Sequence, residues 1–358
     1  MKEYITLDAH KHYTFAAREE VETRRVRRAR IAHAPGCIRH YLRDAERGTT
    51  VAVEATGNWY WIVDEIEAAG CRPALVHPRK AKVMLGCINK TDKLDADGMN
   101  RLQRVGTLPT VWIAPASVRD LRELPRTRMF LCRQRAALKN RIQANASKHG
   151  LGPCGYSDPL GKVARRQLRE WLPRLPGQTA QVTGELLDEL DGLDGRIAEQ
   201  ERRLGRLVAQ TPEMVLLQSL PGIGPILSTV IALEIGEVRR FPSAEHLASY
   251  SGTTPRVHSS GDRIRFGRLR PDVNRYLKWA FIEAANCTCI HRRRHPQRHV
   301  SILYGRIAAR KGHAKAIGAV ARHLAEAAYH VLSKNQNYKD PANRPQACDQ
   351  GGVSATTA

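Results

Sequence analysis

Two short apolar runs, each closed by a single acid, set the strongest constraint on how this chain folds. Tyr4-Ile-Thr-Leu-Asp8 and Thr50-Val-Ala-Val-Glu54 have the length and β-branched content of buried strands, and each ends on a carboxylate. The residues around them predict a mixed sheet. Strands are expected near Tyr13–Ala17 and Val21–Val26, as antiparallel hairpins after the first run, with a weakly patterned helix over 30–46. Ala55-Thr-Gly57 closes the second run. An aromatic-rich helix then runs from Asn58 to Ala69, carrying Trp59, Tyr60 and Trp61, and Gly70 ends it. Arg72–Val76 reads as a strand, Pro78 opens a helix at its first turn, and Thr110–Ile113 is a last short strand.

Hairpins followed by alternating helix and strand describe an α/β domain over residues 1–115, a mixed sheet with flanking helices. That pattern is compatible with an RNase H-like fold and with other α/β folds. Within it, Asn89-Lys-Thr-Asp-Lys-Leu-Asp-Ala-Asp97 reads as a helix start, with Thr91 or Asp92 as N-cap and Leu94, Met99, Leu102 and Val105 as the apolar face. Asp92 and Asp95, three apart, share one side of that helix and would repel each other without a cation between them. Asp97, two positions beyond Asp95, points elsewhere. Asp8, Glu54, Asp92 and Asp95 are hard oxygen donors from separated segments. They suit Mg²⁺ or Mn²⁺ and phosphodiester chemistry. The bland alternative has Asp8 and Glu54 closing strand ends and the Asp92 helix as a solvated face.

Charge narrows the partners. The 358 residues carry 58 Lys and Arg against 35 Asp and Glu, a formal charge of +23. Such an excess points to a polyanion, most simply nucleic acid, with a membrane surface as the rival. No apolar run approaches the roughly 18 residues of a spanning helix. Met1-Lys-Glu-Tyr4 leads straight into a strand without a signal-peptide pattern, and the eight Cys are scattered. These features predict free thiols in a reducing cytoplasm.

Residues 116–212 read as a helical, coiled-coil-like middle and a dimerisation surface, with an ordinary helical bundle as the alternative. Ser117–His149 is a long basic helix with Pro125 as a kink or break, and Gly150–Pro159 is a loop. Gln178–Val208 carries Leu186, Leu187, Leu190, Leu193, Ile197, Leu204 and Leu207. Residues 213–334 read as a mainly α domain. Leu220-Pro-Gly-Ile-Gly-Pro225 before Ile226–Ile235 predicts a helix-hairpin-helix in which Gly222 and Gly224 face a phosphate. From Pro255 to His323 there are sixteen Lys or Arg and three acids. Arg263, Arg265, Arg268, Arg270, Arg275 and Lys278 are therefore candidate phosphate contacts.

Within that stretch Ser260 lies in what reads as a flexible basic loop beside His258, a candidate hydroxyl nucleophile with adjacent Ser259 as the alternative. Helices are expected over Pro271–Asn286 and Gly312–Ser333, and a disordered tail over 335–358. Cys287, Cys289, His291, His295 and His299 are zinc-ligand types. Their spacing fits helix packing and phosphate contact better than a structural zinc.

Together these motifs resemble the DEDD-type insertion-sequence transposases, described as bridge-RNA-guided recombinases. The resemblance rests on Leu7-Asp8, Val53-Glu-Ala-Thr-Gly57, Lys90-Thr-Asp-Lys-Leu-Asp-Ala96, Leu220–Pro225, Phe241-Pro-Ser243, Leu247-Ala-Ser-Tyr-Ser-Gly252, Ser260-Gly261 and Asn274-Arg-Tyr-Leu277, in that order. It spans about residues 4–330. It implies a RuvC-like first domain whose metal-binding tetrad falls on Asp8, Glu54, Asp92 and Asp95. It also implies a C-terminal transposase domain whose nucleophilic serine falls on Ser260. Further implications are DNA as substrate, a structured noncoding guide RNA, and homodimers assembling into a tetramer in the cytoplasm, associated with the nucleoid. A metal-dependent junction nuclease using water would need the four acids and not Ser260. A purely structural nucleic-acid-binding protein would need neither.

Overall fold

The computed structural model describes residues 2–86, 92–152, 156–207, 211–261, 263–269 and 273–341. Expectations on Asn89 to Thr91, on the Asp92 side chain, on Asp262 and Arg270, and on residues 342–358 lie outside these. The chain forms two compact units, one ending at Ala114 and one beginning at Pro115.

The first unit is a five-stranded mixed sheet in the order β3-β2-β1-β4-β5. Its strands are β1 (Glu3–Ala9), β2 (Tyr13–Glu20), β3 (Val26–Ala32), β4 (Thr50–Glu54) and β5 (Arg72–Val76). β1, β2 and β3 pair antiparallel, while β4 lies parallel to both β1 and β5. Thr110 adds only an isolated bridge to Val76, not a sixth strand.

Alternation sorts the side chains between two layers. Ile5, Leu7, Val51 and Val53 bury against α1 (Cys37–Tyr41) and α2 (Trp59–Ala68), through Ile38, Ile62, Val63 and Ile66. On the other face Ala52 and Val76 meet α3 (Pro78–Leu85) and α4 (Asp92–Arg104), through Ala81, Met99 and Leu102. Two expectations are corrected here. The third strand begins at Val26, because residues 21–25 form the turn, with Arg24 at φ +61°. The helix expected over 30–46 shrinks to Cys37–Tyr41, because Arg28, Arg30 and Ile31 belong to the sheet edge, paired with β2. An arginine-rich edge strand blunts edge-to-edge association, which is why it lacks an apolar signature.

In the second unit α5 (Ala116–Lys148) and α7 (Gly177–Leu207) pack antiparallel, with α6 (Lys162–Trp171) alongside. The pairing is read from Arg128 on Glu201, Arg135 on Asp194, and Asn145 on Thr183. α5 runs unbroken through buried Pro125. Leu131 with Leu193 and Ile197, and Ile142 with Leu187 and Leu190, form the seam.

The remaining elements are α8 (Pro212–Gln218), α9 (Pro225–Ile235), α10 (Ala244–Tyr250), β6 (Pro255–Ser260), β7 (Arg263–Leu269), α11 (Arg275–Ile290), α12 (His299–Lys311) and α13 (His313–Lys334). Their helices share a core around Leu217, Phe281, Ala284, Val320 and Leu324. Fully burying a side chain such as Phe281 contributes roughly 1.5–3 kcal/mol. α11 starts at Arg275, where the Asn274 side chain accepts from the Tyr276 and Leu277 amides and caps the helix; Pro271 and Asp272, in the expected helix start, lie outside the described residues.

Residues 335–341 fold back over α13. The Tyr338 amide donates to Ser219 Oγ (2.8 Å), and its hydroxyl lies 3.2 Å from His323 Nε2. Burial, helped by the neighbouring His299, lowers the His323 pKa, while Glu326 and Asp340 act weakly the other way. The folded state thus takes up this proton less readily than the unfolded chain. Stability from the group is complete above the ordinary histidine pKa and is lost as pH falls. The melting temperature should therefore fall between about pH 7.5 and about pH 5.5, and His323→Gln should flatten that part of the profile. A wild-type profile already flat there would remove the strap as its cause.

Candidate functional site

Sheet parity brings the N-terminal acids together. Thr6 on β1 pairs with Ala52 on β4, and Leu7 with Val53. The next step of that register sets Asp8 abreast of Glu54, on strands about 4.8 Å apart. Both acids point to the α4 side. Asp8 lies two residues beyond Thr6, whose hydroxyl donates to Ala96 O of α4 at 3.0 Å. Glu54 pairs with Val76, which packs under α4. Asp95 precedes Ala96 on α4 and is half-buried.

α4 is held in place along its length. Asn100 donates to Ala17 O (3.4 Å), Gln103 to Thr50 O (2.9 Å), and Arg104 Nη1 to Glu19 Oε1 (2.6 Å). Asp97 turns aside, as its spacing required, and accepts two bonds from Arg28 (3.1 and 2.7 Å). Those bonds raise the Arg28 pKa. Asp8 is 4% exposed. One of its partners is His10, with Nε2 3.2 Å from Asp8 Oδ2 and its ring stacked on Tyr13. Sequence reasoning missed His10, though its place two residues past Asp8, just beyond the end of β1, was the available signal. The loop after Glu54 is tied to the loop after Asp8, since Asn58 Nδ2 donates to His10 O (2.8 Å) and Thr56 Oγ1 to Asn58 Oδ1 (2.8 Å).

The donor set fits a hard divalent cation, being oxygen-only and gathered at the carboxyl ends of two parallel strands. Among the described residues, however, no group of three His, Cys, Asp or Glu side chains is arranged to hold a metal ion, and the Asp92 side chain lies outside them.

Ser260 lies in the second unit, and the structure corrects its setting. It ends a strand in a two-stranded hairpin, where a flexible loop was expected. Gly261 takes φ +56° in the turn, which is why glycine stands there. Gly261-Asp262 between alternating residues was the unread hairpin signal. In the register Ser260 faces Arg263, His258 faces Arg265, Ser259 faces Ile264 and Val257 faces Phe266. One face of the ribbon therefore carries Ser260, His258, Arg263 and Arg265, and the other carries Ser259, Val257 and Phe266. Ser260, not Ser259, shares its face with the cations. All of these side chains are exposed, leaving aside Ile264, whose side chain is outside those described, and so is Arg268.

The base of the hairpin is anchored. The Asn274 amide donates to Tyr250 O (3.0 Å), closing the segment between them. Asn274 Nδ2 donates to Glu234 Oε2 (2.8 Å). Glu234, 1% exposed, also receives Arg126 through Nε (2.8 Å) and Nη2 (3.1 Å), with Arg122 Nε 3.7 Å away. The sequence singled out Asn274, in the Asn274–Leu277 motif, but not Glu234, Arg122 or Arg126.

The two glycines expected at a phosphate differ in setting. A Cβ on Gly222 would fall 2.4 Å from Ala284 O of α11, so close packing alone demands glycine there. Gly224 is the exposed N-cap residue of α9. Arg275 is exposed and Lys278 half-buried on α11. No helix among the described residues is long and apolar enough to cross a membrane.

Two family models match the chain. The DEDD transposase model of the IS110 group covers residues 5–148, and the Transposase IS116/IS110/IS902 family model covers 214–300. A Pseudomonas aeruginosa protein named "Probable family 20 transposase" is 28% identical over 66% of this chain and 70% of its own length. The transposase for insertion sequence element IS1111A of Coxiella burnetii is 23% identical over 89% and 85%. The pilin gene-inverting protein of Moraxella bovis is 33% identical over 28% and 32%. One model takes in β1, β4, α4 and α5, and the other takes in the hairpin with its anchor, so the chain belongs to the DEDD-type transposases of the IS110 and IS116 group and is a DNA transposase.

Proposed function

We propose that this transposase cuts and rejoins DNA at insertion-sequence ends with two sets of residues, the acids Asp8, Glu54, Asp92 and Asp95 and the nucleophile Ser260. The observation that carries this is the parallel β1–β4 register, which continued one step brings Asp8 and Glu54 side by side at the strand ends facing α4. The four carboxylates would hold Mg²⁺ or Mn²⁺. Such an ion, when bound, neutralises charge on a phosphodiester and stabilises the departing oxygen. His10 lies beside Asp8, its Nε2 3.2 Å from Oδ2. Ser260 Oγ forms a new ester bond to the phosphorus as the bond to the neighbouring sugar oxygen breaks. The serine proton leaves to solvent or a nearby base, and the released strand end takes up a proton as a hydroxyl. Rejoining reverses these bonds at a different strand. Arg263 and Arg265 share the serine's face and steady the phosphate charge.

Gly224, Arg268, Arg270, Arg275 and Lys278 would bind backbone phosphates, and Gly222 sets the turn that presents Gly224. A noncoding guide RNA from the element, held by a surface of charge +23 and pairing with donor and target, would supply sequence choice. Homodimers paired through the α5–α7 hairpin and joined into a tetramer would supply two strands' worth of sites. The pilin gene-inverting relatives favour site-specific recombination over simple hydrolysis.

The test is a covalent adduct on the whole element. DNA from a plasmid carrying it should migrate with the wild-type protein after denaturation, and the peptide bearing the link should contain Ser260. Ser260→Ala should give no adduct and no circular junction, while Ser259→Ala should give both. Junctions from Ser260→Ala would move the water-using nuclease to the front.

A further inference from the structure

Cys287 and Thr288 in the last turn of α11, His291 and His295 after it, and Gly222 in the turn before α9, far apart in sequence, line one cavity of about 220 Å³. The turn comes first. Because Gly222 has no side chain, its backbone lies against Ala284 and Thr288 of α11. α11 then ends, and the chain winds through successive tight turns. Arg294 N donates to His291 O (3.0 Å), His295 N to Arg292 O (3.2 Å) and Arg298 N to His295 O (3.3 Å). Ser301 Oγ closes the coil on His295 O (2.8 Å). Those backbone groups are thus satisfied within the coil, and His291, Arg294, His295 and Arg298 are left exposed around the cavity.

Charge decides what the cavity suits. Among the described residues lining it none is acidic. Arg292, in the same coil, is used structurally, donating to Cys289 O (3.0 Å) and lying over the Tyr304 ring. Arg294 and Arg298 form no ion pair among the described residues, unlike the surface arginines Arg196, Arg202 and Arg322. One acid, Asp340, reaches this end of α12, where it accepts the His299 amide (3.1 and 3.2 Å), and it does not line the cavity. Two guanidinium groups and two imidazole N–H groups are donors for an oxyanion, and the guanidinium charges disfavour a metal cation; the Thr288 hydroxyl is already spent on Ala285 O (2.8 Å). The size is below the roughly 300 Å³ of sites that enclose whole small molecules, and it suits a single phosphate group.

Taking the chain as the DNA-handling enzyme proposed above, we infer that this cavity seats one backbone phosphate of a nucleic-acid strand, at residues distinct from the serine hairpin. The phosphodiester is common to DNA and RNA, so both are used as probes. Binding of the full chain to a labelled mixed-sequence DNA duplex and to an RNA duplex is followed by anisotropy over a salt series. Arg294→Ala/Arg298→Ala should weaken binding severalfold, equally across sequences, and lower the salt slope by about 0.9, the value for one phosphate no longer neutralised.

A weakening on DNA alone, or on RNA alone, supports the seat and names the strand it holds. Arg294→Lys/Arg298→Lys should keep most of the slope, because a point charge still serves a phosphate. Arg322→Ala, which removes a paired arginine elsewhere, should change little. Unchanged binding to both probes overturns the inference, as does a weakening no larger than that of Arg322→Ala, or a Lys variant as weak as the Ala variant. The two proposals fail separately. An intact cavity result with active Asp8 or Ser260 variants would sink only the proposed chemistry. Wild-type protein that binds neither probe would sink both.

Discussion

Asp8→Asn should abolish junction formation from a plasmid-borne element, by at least about 10³-fold, without lowering the melting temperature. The change keeps volume and removes one charge. Asp8 is nearly buried, and the β1–β4 register, continued one step beyond Leu7 and Val53, sets a second carboxylate, Glu54, beside it. Two like charges at the ends of adjacent strands repel in a region of low dielectric, so the native protein holds them together at some cost to its stability. Removing one should relieve that repulsion, and a small rise in melting temperature should accompany the dead enzyme. A variant that still forms junctions would remove Asp8 from the chemistry. A variant that is dead and melts well below wild type would make the acid a structural strand cap, held by His10.

Glu234→Ala should destabilise the second unit by about 3–5 kcal/mol, because it strands buried Arg122 and partly buried Arg126 without their carboxylate. For a unit of this size that corresponds to a melting-temperature loss on the order of 10 °C. Arg122 retains its bonds to the Leu233 and Glu234 carbonyls (2.9 and 3.3 Å), so the loss should not reach global unfolding. Glu234→Gln keeps an acceptor for Asn274 and should fall between. Junction formation should drop in the Ala variant beyond what its unfolded fraction explains, because Asn274 would no longer be held at the base of the hairpin, and less in the Gln variant, which keeps that acceptor. Thermal melts with strand-joining rates at a temperature where all variants are folded would check this. A loss under about 1 kcal/mol would show that the carboxylate is not the anchor.

The parts legible in the sequence are those set by local pattern. Val51, Ala52 and Val53 announce a buried strand by themselves, and the long leucine series of α7 announces its helix. β3 escaped because its arginines pair with β2 at an exposed edge, where no apolar alternation is required. The hairpin escaped because its residues are nearly all exposed, and burial is what makes a strand readable. The acids were legible as isolated carboxylates, but not as neighbours. Their placement depends on the β1–β4 register and on Thr6 reaching Ala96, ninety residues away. Glu234 was illegible for the same reason, since its partners lie on α5 and beside α11.

The backbone bond between Tyr250 and Asn274 makes the ribbon a cassette. Its entry and exit lie 3.0 Å apart, so what lies between can lengthen, shorten or be exchanged without changing the path of the helices on either side. A transplanted ribbon should carry its own strand preference into this scaffold, while the joining residues, Asn274 above all, stay fixed.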